Sequence, residues 1–558
     1  MRLFSSCVRI HRINQFKVNL LYRRKRIISI DNKQKQTRKE ILRKMSATTT
    51  MFQRSSGVVL HISSLPSPYG IGSMGKDAYR FVDFLRDGGQ TYWQVLPLGQ
   101  TGFGDSPYQC FSAAAGNPYF IDLDELHEMG LLTEQDLRDA DCGQNPDRVD
   151  YEKIAATRFE VLKRAFRRAD GRLLGKVWAF RADNEDWVVD YAMFLSLKLH
   201  FDQKALWDWD DDAIKAREPE AMRRYAFELK DSIDFYIFLQ YLFFQQWNRL
   251  REYANEQGIQ IIGDIPIYVS PDSCDVWAHP QMFRVDKDLK PCGVAGVPPD
   301  YYSATGQLWG NPVYDWDYIE KDNYKWWLWR IRRNLALFDV TRLDHFRGFQ
   351  AYWEVKAGEE TAINGKWMPG PRMKLFDAIK KEFGEVPFIA EDLGDIDDDV
   401  REFLAESGYP GMHVMIFGLR ANEDNDHLPH NWLKNSVGYT STHDSETICE
   451  QIMDYCSEDD KKFSYSYLRT SHHEPMGWSA IRTAFLSPAI IAMTTMQDVL
   501  SLGADARMNT PATIGGNWSW RVRRNAINSD VAAFLRDAAF GSKRLNPNAI
   551  FGGKKKAK

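Results

Sequence analysis

Eight short apolar segments constrain the fold of this 558-residue chain more than any other feature of its sequence. They are continuous runs that end in polar or glycine residues, which is typical of strands buried on both faces of a parallel sheet. The runs cover residues 57–62, 92–98, 260–265, 338–343, 386–390, 411–417, 436–441 and 489–496. Amphipathic helical patterns at 76–87, 324–337 and 373–382 lie between several of them. Eight strands alternating with helices predict an α/β fold, the (β/α)8 TIM barrel.

One connection is too long for a simple crossover. About 160 residues separate the second run from the third. Helical patterns occupy 151–169, 186–201 and 220–255 within it, and Gly258 ends the last of them. The sequence therefore predicts a mainly helical subdomain, at about 120–258, inserted into a catalytic barrel that spans 51–550.

The first 50 residues differ in composition from the rest of the chain. They hold 14 Lys and Arg but only Asp31 and Glu40, a local net charge of +12 that leaves −16 for the remainder. A basic, acid-poor leader is typical of an organelle transit peptide. The alternative is a disordered tail or a mis-assigned start, since Met45 and Met51 follow. The chain is expected in plastids in the first case and in the cytoplasm in the second. Residues 551–558 form a basic tail.

Composition excludes several classes of function. The acidic body argues against nucleic acid as a partner. The longest apolar run, near 235–244, is too short to span a membrane and contains Gln240. Seven scattered cysteines without C-x-x-C spacing indicate a reducing compartment and argue against a zinc site. No metal or nucleotide motif is present, and composition leaves the oligomeric state open.

Three acidic residues follow predicted strands at equivalent places. Asp344 follows the fourth run, Glu391 the fifth and Asp444 the seventh, about 50 residues apart. In a TIM barrel the carboxyl ends of the strands share one face, where active sites lie. We therefore expect these three carboxylates to share one cleft.

Such a set suits the retaining cleavage of a glycosidic bond. One carboxylate attacks the anomeric carbon, and a second, kept protonated by its surroundings, donates to the leaving oxygen from about 5–5.5 Å away. A third can hold substrate hydroxyls. Arg342 lies two residues before Asp344, so on a strand it points to the same side and keeps that carboxylate ionised.

The alternative interpretation is structural. Asp and Glu at strand ends often cap helices or form surface ion pairs, and any one of the three alone would favour that explanation. Three in one register, each beside His, Arg or Gly, weaken it.

Long motifs support a resemblance to a known family. They are S-S-L-P-S-P-Y-G-I-G at 63–72, Y-W-Q-V-L-P-L at 92–98, D-S-P-Y-Q at 105–109, G-D-I-P-I-Y at 263–268, D-V-W-A at 275–278, G-V-P-P-D-Y at 296–301, G-Q-L-W-G-N-P at 306–312, and A-R-M-N-T-P at 506–511 with G-N-W at 516–518. From about residue 57 to 521 the chain resembles the 4-α-glucanotransferases, called amylomaltases in bacteria and disproportionating enzymes in plastids, which are relatives of the α-amylases.

The resemblance implies roles for particular residues. Asp344 of R-L-D-H-F-R-G would be the nucleophile, Glu391 of A-E-D-L-G the acid/base, and Asp444 of T-H-D the transition-state stabiliser. The positions that usually line the donor subsite or contact the glucan are Asp264, Arg342, His443, Tyr108, Tyr301, Gln307 and Trp309. A loop at about 294–312 would cover the substrate. The implied partners are α-1,4-glucans and maltooligosaccharides, and the mechanism requires no cofactor.

Two positions depart from the usual family motif around Asp444. Ser441 stands where Gly is usual, and Ser445 replaces an Asn, removing an amide next to Asp444. We expect catalysis to survive both changes. Two other functions stay open at this stage: an α-1,4-glucan hydrolase of the amylase type, and a non-catalytic glucan-binding protein.

Overall fold

The computed structural model describes residues 51–140, 142–143, 145–299, 303–420, 422 and 424–548. The predicted leader and tail lie outside this range. Twelve strands occur within the described residues. In chain order they are β1 (Ser55–Val59), β2 (Tyr92–Gln94), β3 (Gln260–Ile265), β4 (Gly293–Val297), β5 (Gln307–Pro312), β6 (Val340–Leu343), β7 (Ala351–Lys356), β8 (Lys366–Pro369), β9 (Phe388–Ala390), β10 (Gly411–Val414), β11 (Ser436–Tyr439) and β12 (Ile491–Thr495).

Eight of these strands form one parallel sheet in the order β10-β11-β12-β1-β2-β3-β6-β9. Every neighbouring pair in this order is parallel. The backbone N–H of Ala390 in β9 donates to Pro410 O, just before β10, over 2.9 Å. The two ends of the sheet therefore meet, and the eight strands follow one another around a nearly closed barrel.

The predicted TIM barrel is confirmed by this arrangement. Each of the eight apolar runs overlaps one barrel strand, and the side chains within the strands are nearly all buried. Outer helices bury the other face of the strands, so one continuous apolar core joins the barrel to the helical layer.

Close packing between a barrel strand and its neighbour explains one glycine. A Cβ added at Gly263 in β3 would lie 2.1 Å from the ring of Phe338, which precedes β6. Only glycine leaves room for that ring against the strand backbone. The neighbouring residue in β3 is Asp264, so this contact helps to fix the position of a predicted site residue.

The helices surround the barrel and fill the long connection between β2 and β3. Within the described residues, none is long and apolar enough to cross a membrane. The α-helices are Lys76–Asp87, Leu123–Glu128, Glu134–Asp139, Tyr151–Arg167, Gly171–Asp183, Val188–His200, Asp212–Lys215, Pro219–Glu228, Lys230–Glu256, Cys274–Ala278, Trp316–Lys321, Lys325–Leu337, Arg347–Gln350, Met373–Phe383, Asp398–Ser407, Ile448–Glu450 (which continues as a π-helical turn, Gln451–Tyr455), Glu458–Leu468, Met476–Leu486, Met496–Val499 and Ser529–Gly541.

One helical pattern is divided in the structure. The sequence indicates a single helix over 220–255, but the chain forms Pro219–Glu228 and Lys230–Glu256. At Leu229 the backbone adopts φ −102° and ψ 15°, outside the helical range, and this residue joins the two helices. The apolar spacing continues across the break, so no glycine or proline marks it.

A second, smaller sheet lies in the connections that flank β6. Its order is β5-β4-β7-β8, and its strands pair antiparallel. Strands β4 and β5 belong to the segment between β3 and β6, whereas β7 and β8 follow β6. The sheet therefore connects the region 293–312 to the part of the chain that follows Asp344.

Candidate active site

The carboxyl ends of neighbouring barrel strands bring the predicted site residues together. Asp264 in β3 lies directly opposite Arg342 in β6. Asp344 follows β6, and its N–H donates to Ile265 O over 3.2 Å. Glu391 follows β9, and its N–H donates to Leu343 O over 3.0 Å. The sheet register itself therefore sets the relative heights of these side chains.

Arg342 connects the acidic groups. Its guanidinium is almost fully buried, and Nη1 donates to Asp264 Oδ2 over 2.6 Å and to Asp344 Oδ1 over 3.0 Å. Nη2 lies 3.9 Å from Glu391 Oε2. The positive charge is thus closest to Asp264 and Asp344 and farther from Glu391, which favours ionisation of Asp344 over that of Glu391.

The backbone at His345 fixes the carboxyl of Glu391. His345 has φ +48°, in the left-handed region that non-glycine residues seldom adopt. Its N–H donates to Glu391 Oε2 over 2.6 Å. A strained residue directly after Asp344 thus holds the second carboxyl of the pair, as is common at functional sites.

Tyr108 joins the β3 side of the cleft to the β11 side. Its hydroxyl donates to Asp264 Oδ2 over 2.8 Å and lies 2.7 Å from His443 Nε2. Because the hydroxyl proton goes to Asp264, the oxygen accepts from Nε2–H of His443. The two rings also stack, with centroids 5.4 Å apart. Burial and the negative charge of Asp264 raise the pKa of Tyr108, which keeps the phenol neutral.

Asp444 is held by two neighbours. His443 Nε2 lies 2.9 Å from Asp444 Oδ2, and the side-chain amide of Asn509 donates to Oδ1 over 2.7 Å. Burial opposes ionisation of Asp444, but the charge and hydrogen bond of His443 and the hydrogen bond of Asn509 outweigh it and lower its pKa to about 2. Asp444 is therefore a carboxylate at any pH near neutrality.

The environment separates the protonation of Glu391 and Asp344. Burial raises the pKa of Glu391, Arg342 opposes this, and the charge of Asp344 raises the pKa further. Burial also raises the pKa of Asp344, but the direct hydrogen bond from Arg342 favours its charged form. When the two carboxyls share one proton, it resides on Glu391. Such a division can provide a proton donor and an anion from two like groups.

The β4–β5 hairpin contacts this cleft through Trp309. The Trp309 ring packs edge-on against the ring of His345, with centroids 4.8 Å apart. Trp309 Nε1 donates to Gln307 Oε1 over 3.2 Å, so both predicted glucan-contacting residues of β5 lie together. Tyr301, the third predicted residue of this region, lies outside the described residues.

Comparison with known proteins identifies the family. A sequence profile described as 4-alpha-glucanotransferase matches residues 60–527, which is most of the chain. The chain belongs to the 4-α-glucanotransferase family. A 4-alpha-glucanotransferase of Clostridium butyricum is 46% identical over 474 residues, covering 85% of this chain and 97% of the relative. A 4-alpha-glucanotransferase of Solanum tuberosum, described as chloroplastic/amyloplastic, is 42% identical over 479 residues and covers 84% of this chain and 82% of the relative.

A solved structure of this family has the same fold. The amylomaltase from Streptococcus agalactiae, solved in complex with acarbose, superposes with a TM-score of 0.86. It is 43% identical to this chain, and the match covers 88% of this chain and all of the neighbour. The family named by the sequence motifs is thus confirmed by the sequence profile, by the relatives and by the fold.

The two departures from the family motif have structural explanations. Ser441 has no positive φ, and its hydroxyl donates to the buried carboxylate of Asp498 over 2.5 Å. The Ser445 hydroxyl accepts from the N–H of Thr442 over 2.9 Å, which tightens the turn that carries Asp444. Asp444 still receives a side-chain amide, because Asn509 donates to it over 2.7 Å.

Three residues of the cleft were not predicted from the sequence. Asn509 binds Asp444, His345 binds Glu391 through its backbone, and the Trp518 ring lies near the rings of Tyr108 and His443, at 5.9 and 6.1 Å. All three belong to family motifs at 341–348 and 506–518, so the motifs contained the signal without indicating a role. No group of three or more His, Cys, Asp or Glu in the described part of the chain could hold a metal ion.

Proposed function

We propose that this chain transfers segments of α-1,4-glucan to a glucose or glucan acceptor by a retaining double displacement. Asp344 is the nucleophile, Glu391 the acid/base and Asp444 the transition-state stabiliser. The observation that carries this assignment is the position of Arg342, which donates directly to Asp344 and lies 3.9 Å from Glu391. The pair therefore divides into an anion and an acid, as retention requires.

In the first step Asp344 attacks the anomeric carbon while Glu391 protonates the leaving oxygen. The bond to the leaving sugar breaks, and a covalent glycosyl ester forms on Asp344. In the second step Glu391, now ionised, accepts a proton from the incoming hydroxyl, which displaces Asp344 and restores the original α-configuration. Asp444, already anionic, stabilises the positive charge that develops on the ring in both transition states.

The acceptor decides between transfer and hydrolysis, because the same three carboxylates serve sugar and water. We propose that the β4–β5 hairpin and the inserted helical region favour the sugar. Trp309 supports this role, since it lies beside His345 at the cleft and its flat face suits a sugar ring. A bound glucan would occupy the space from which water could attack the ester.

Maltotriose distinguishes transfer from hydrolysis. Incubation with the purified protein is expected to give glucose together with maltotetraose, maltopentaose and longer products, measured by chromatography over time. Asp344→Asn serves as the matched blank for contaminating activity. Products limited to maltose and glucose would reject the transferase and favour the amylase-type hydrolase. No turnover at all would favour a glucan-binding protein.

The pH dependence of kcat/KM is expected to be bell-shaped, with both of its apparent pKa values above those of free carboxyl groups. Activity requires Asp344 without its proton and Glu391 with it. Activity therefore rises with pH as Asp344 ionises and falls as Glu391 ionises. Because burial raises both pKa values, each limb lies above about 4, the ordinary value for Asp and Glu. Initial rates across a buffer series test this, and an alkaline limb at or below that value would contradict the assignment.

The expected cellular location depends on residues 1–50. We propose plastids if this basic segment is a transit peptide and the cytoplasm otherwise, and the relative from Solanum tuberosum is described as chloroplastic/amyloplastic. Sequencing the N-terminus of the protein from its native source decides between the two.

A further inference from the structure

The loop that carries His443 and Asp444 is attached at both ends to one buried carboxylate. This carboxylate is Asp498, in the short helix after β12, and the residue is 1% exposed. Thr440 Oγ1 and Ser441 Oγ donate to its Oδ2 over 2.6 and 2.5 Å. The backbone N–H of Ile448 donates to its Oδ1 over 2.8 Å. Both oxygens of Asp498 are therefore committed to the loop 440–448.

These bonds lie at the base of the loop, and Asp444 lies near its middle. The first two donors directly follow strand β11, and the third begins the helix Ile448–Glu450. A shift of the Asp498 carboxylate would thus move both ends of the loop together. The donors are two hydroxyls and one backbone amide, and these charge-assisted hydrogen bonds stabilise the buried carboxylate.

A second set of contacts holds the loop from the side. Arg507 Nη1 lies 2.9 Å from Glu446 and 3.3 Å from Glu450, and Asn509 donates to Asp444 itself. The segment 507–509 therefore lies alongside the loop and contacts its acidic side chains. Asp498 ties the loop to the barrel, since its own N–H donates to Thr495 Oγ1 at the end of β12 over 3.3 Å. Thr440 Oγ1 and Ser441 Oγ also lie 3.1 Å from the hydroxyls of Thr494 and Thr495 in β12, so the clamp and the strand hold the same end of the loop.

We propose that Asp498 is a positioning residue that holds Asp444 at the height required to stabilise the transition state. Ser441 is one of the three donors through which the loop binds this carboxylate. The proposal rests on the role proposed above for Asp444. Displacing a catalytic carboxylate by about 1 Å can lower the reaction rate about 100-fold. Asp498 can therefore affect catalysis by holding the loop, although it touches no substrate.

Two substitutions test the clamp at different strengths. Ser441→Ala removes one hydroxyl donor and is expected to lower kcat about three- to tenfold, with KM for maltotriose changed by less than about twofold. Asp498→Asn removes the charge that the hydroxyls face and is expected to lower kcat about 10- to 100-fold. The Ki of acarbose, whose unsaturated ring resembles the flattened transition state, should rise by the same factor as kcat/KM falls.

A matched control separates positioning from stability. Ser73 Oγ donates to the buried Asp122 over 2.7 Å, a bond of the same type outside the cleft. Ser73→Ala is expected to lower Tm about as much as Ser441→Ala and to leave kcat and the acarbose Ki unchanged. If Ser441→Ala and Asp498→Asn lower only Tm, Asp498 is structural and the proposal is overturned. Asp444→Asn is measured alongside: full activity in that variant would overturn the role of Asp444 instead.

Discussion

Asp344→Asn is expected to lower kcat/KM for maltotriose by about 10⁴-fold or more. The amide cannot form the glycosyl ester, and it removes the negative charge that Arg342 holds over 3.0 Å. The fold should persist, because the substitution is isosteric and the Asp344 N–H bond to Ile265 O belongs to the backbone. Initial rates and a thermal melt of the same preparation check both statements.

Asp392→Asn is the control for this experiment. Asp392 follows Glu391 directly, and its Oδ1 accepts from the N–H of Met412 over 2.6 Å, a bond that asparagine retains. Burial raises the pKa of Asp392 to about 7, so at slightly acidic pH this side chain is mostly protonated and neutral, as asparagine is, and the comparison is made there. Activity within a few-fold of the parent is expected. Comparable losses in Asp344→Asn and Asp392→Asn would mean that Asp344 acts only by supporting the local structure.

Glu391→Gln is expected to lose activity in a manner that depends on the leaving group. With maltotriose the loss is about 10² to 10⁴-fold, because no acid protonates the leaving oxygen. With α-maltosyl fluoride the first step needs no proton, so one equivalent of fluoride per active site should be released rapidly. The second step then stalls, because no base activates the acceptor. A fluoride electrode with stopped-flow mixing measures the burst.

Azide makes this prediction stereochemically specific. Azide requires no base, so it should restore turnover of α-maltosyl fluoride by Glu391→Gln and give α-maltosyl azide, with retention. In Asp344→Ala, azide replaces the missing nucleophile and should give the β-anomer. The same anomer from both variants, read from the NMR coupling of the anomeric proton, would contradict the assigned roles.

The sequence predicted the barrel well because its signal is local. A strand buried on both faces requires a continuous apolar run, and each of the eight runs overlaps a barrel strand. The order of the strands then follows from the chain order of a TIM barrel. The break at Leu229 could not be predicted in this way, because apolar spacing continues through it and no helix-breaking residue is present.

The carboxylates could be placed at one face but not assigned roles from spacing alone. Those roles depend on distances across the cleft, such as 3.0 Å from Arg342 to Asp344 against 3.9 Å to Glu391. The amide of Asn509 reaches Asp444 from 65 residues away in sequence. No pattern of spacing within one segment predicts such a contact, and only the resemblance to the family indicated that the segment 506–511 mattered.

A glycosyl ester on Asp344 is the intermediate through which catalysis is proposed to pass. Glu391→Gln mixed with α-maltosyl fluoride, quenched in acid within the burst and digested, tests it directly by mass spectrometry of the peptide that contains residues 340–347. We expect that peptide to gain the mass of one maltosyl group, with fragmentation placing it on Asp344, and no gain in the double variant that also carries Asp344→Asn. An adduct on another residue, or a burst of fluoride without any adduct, would contradict the account.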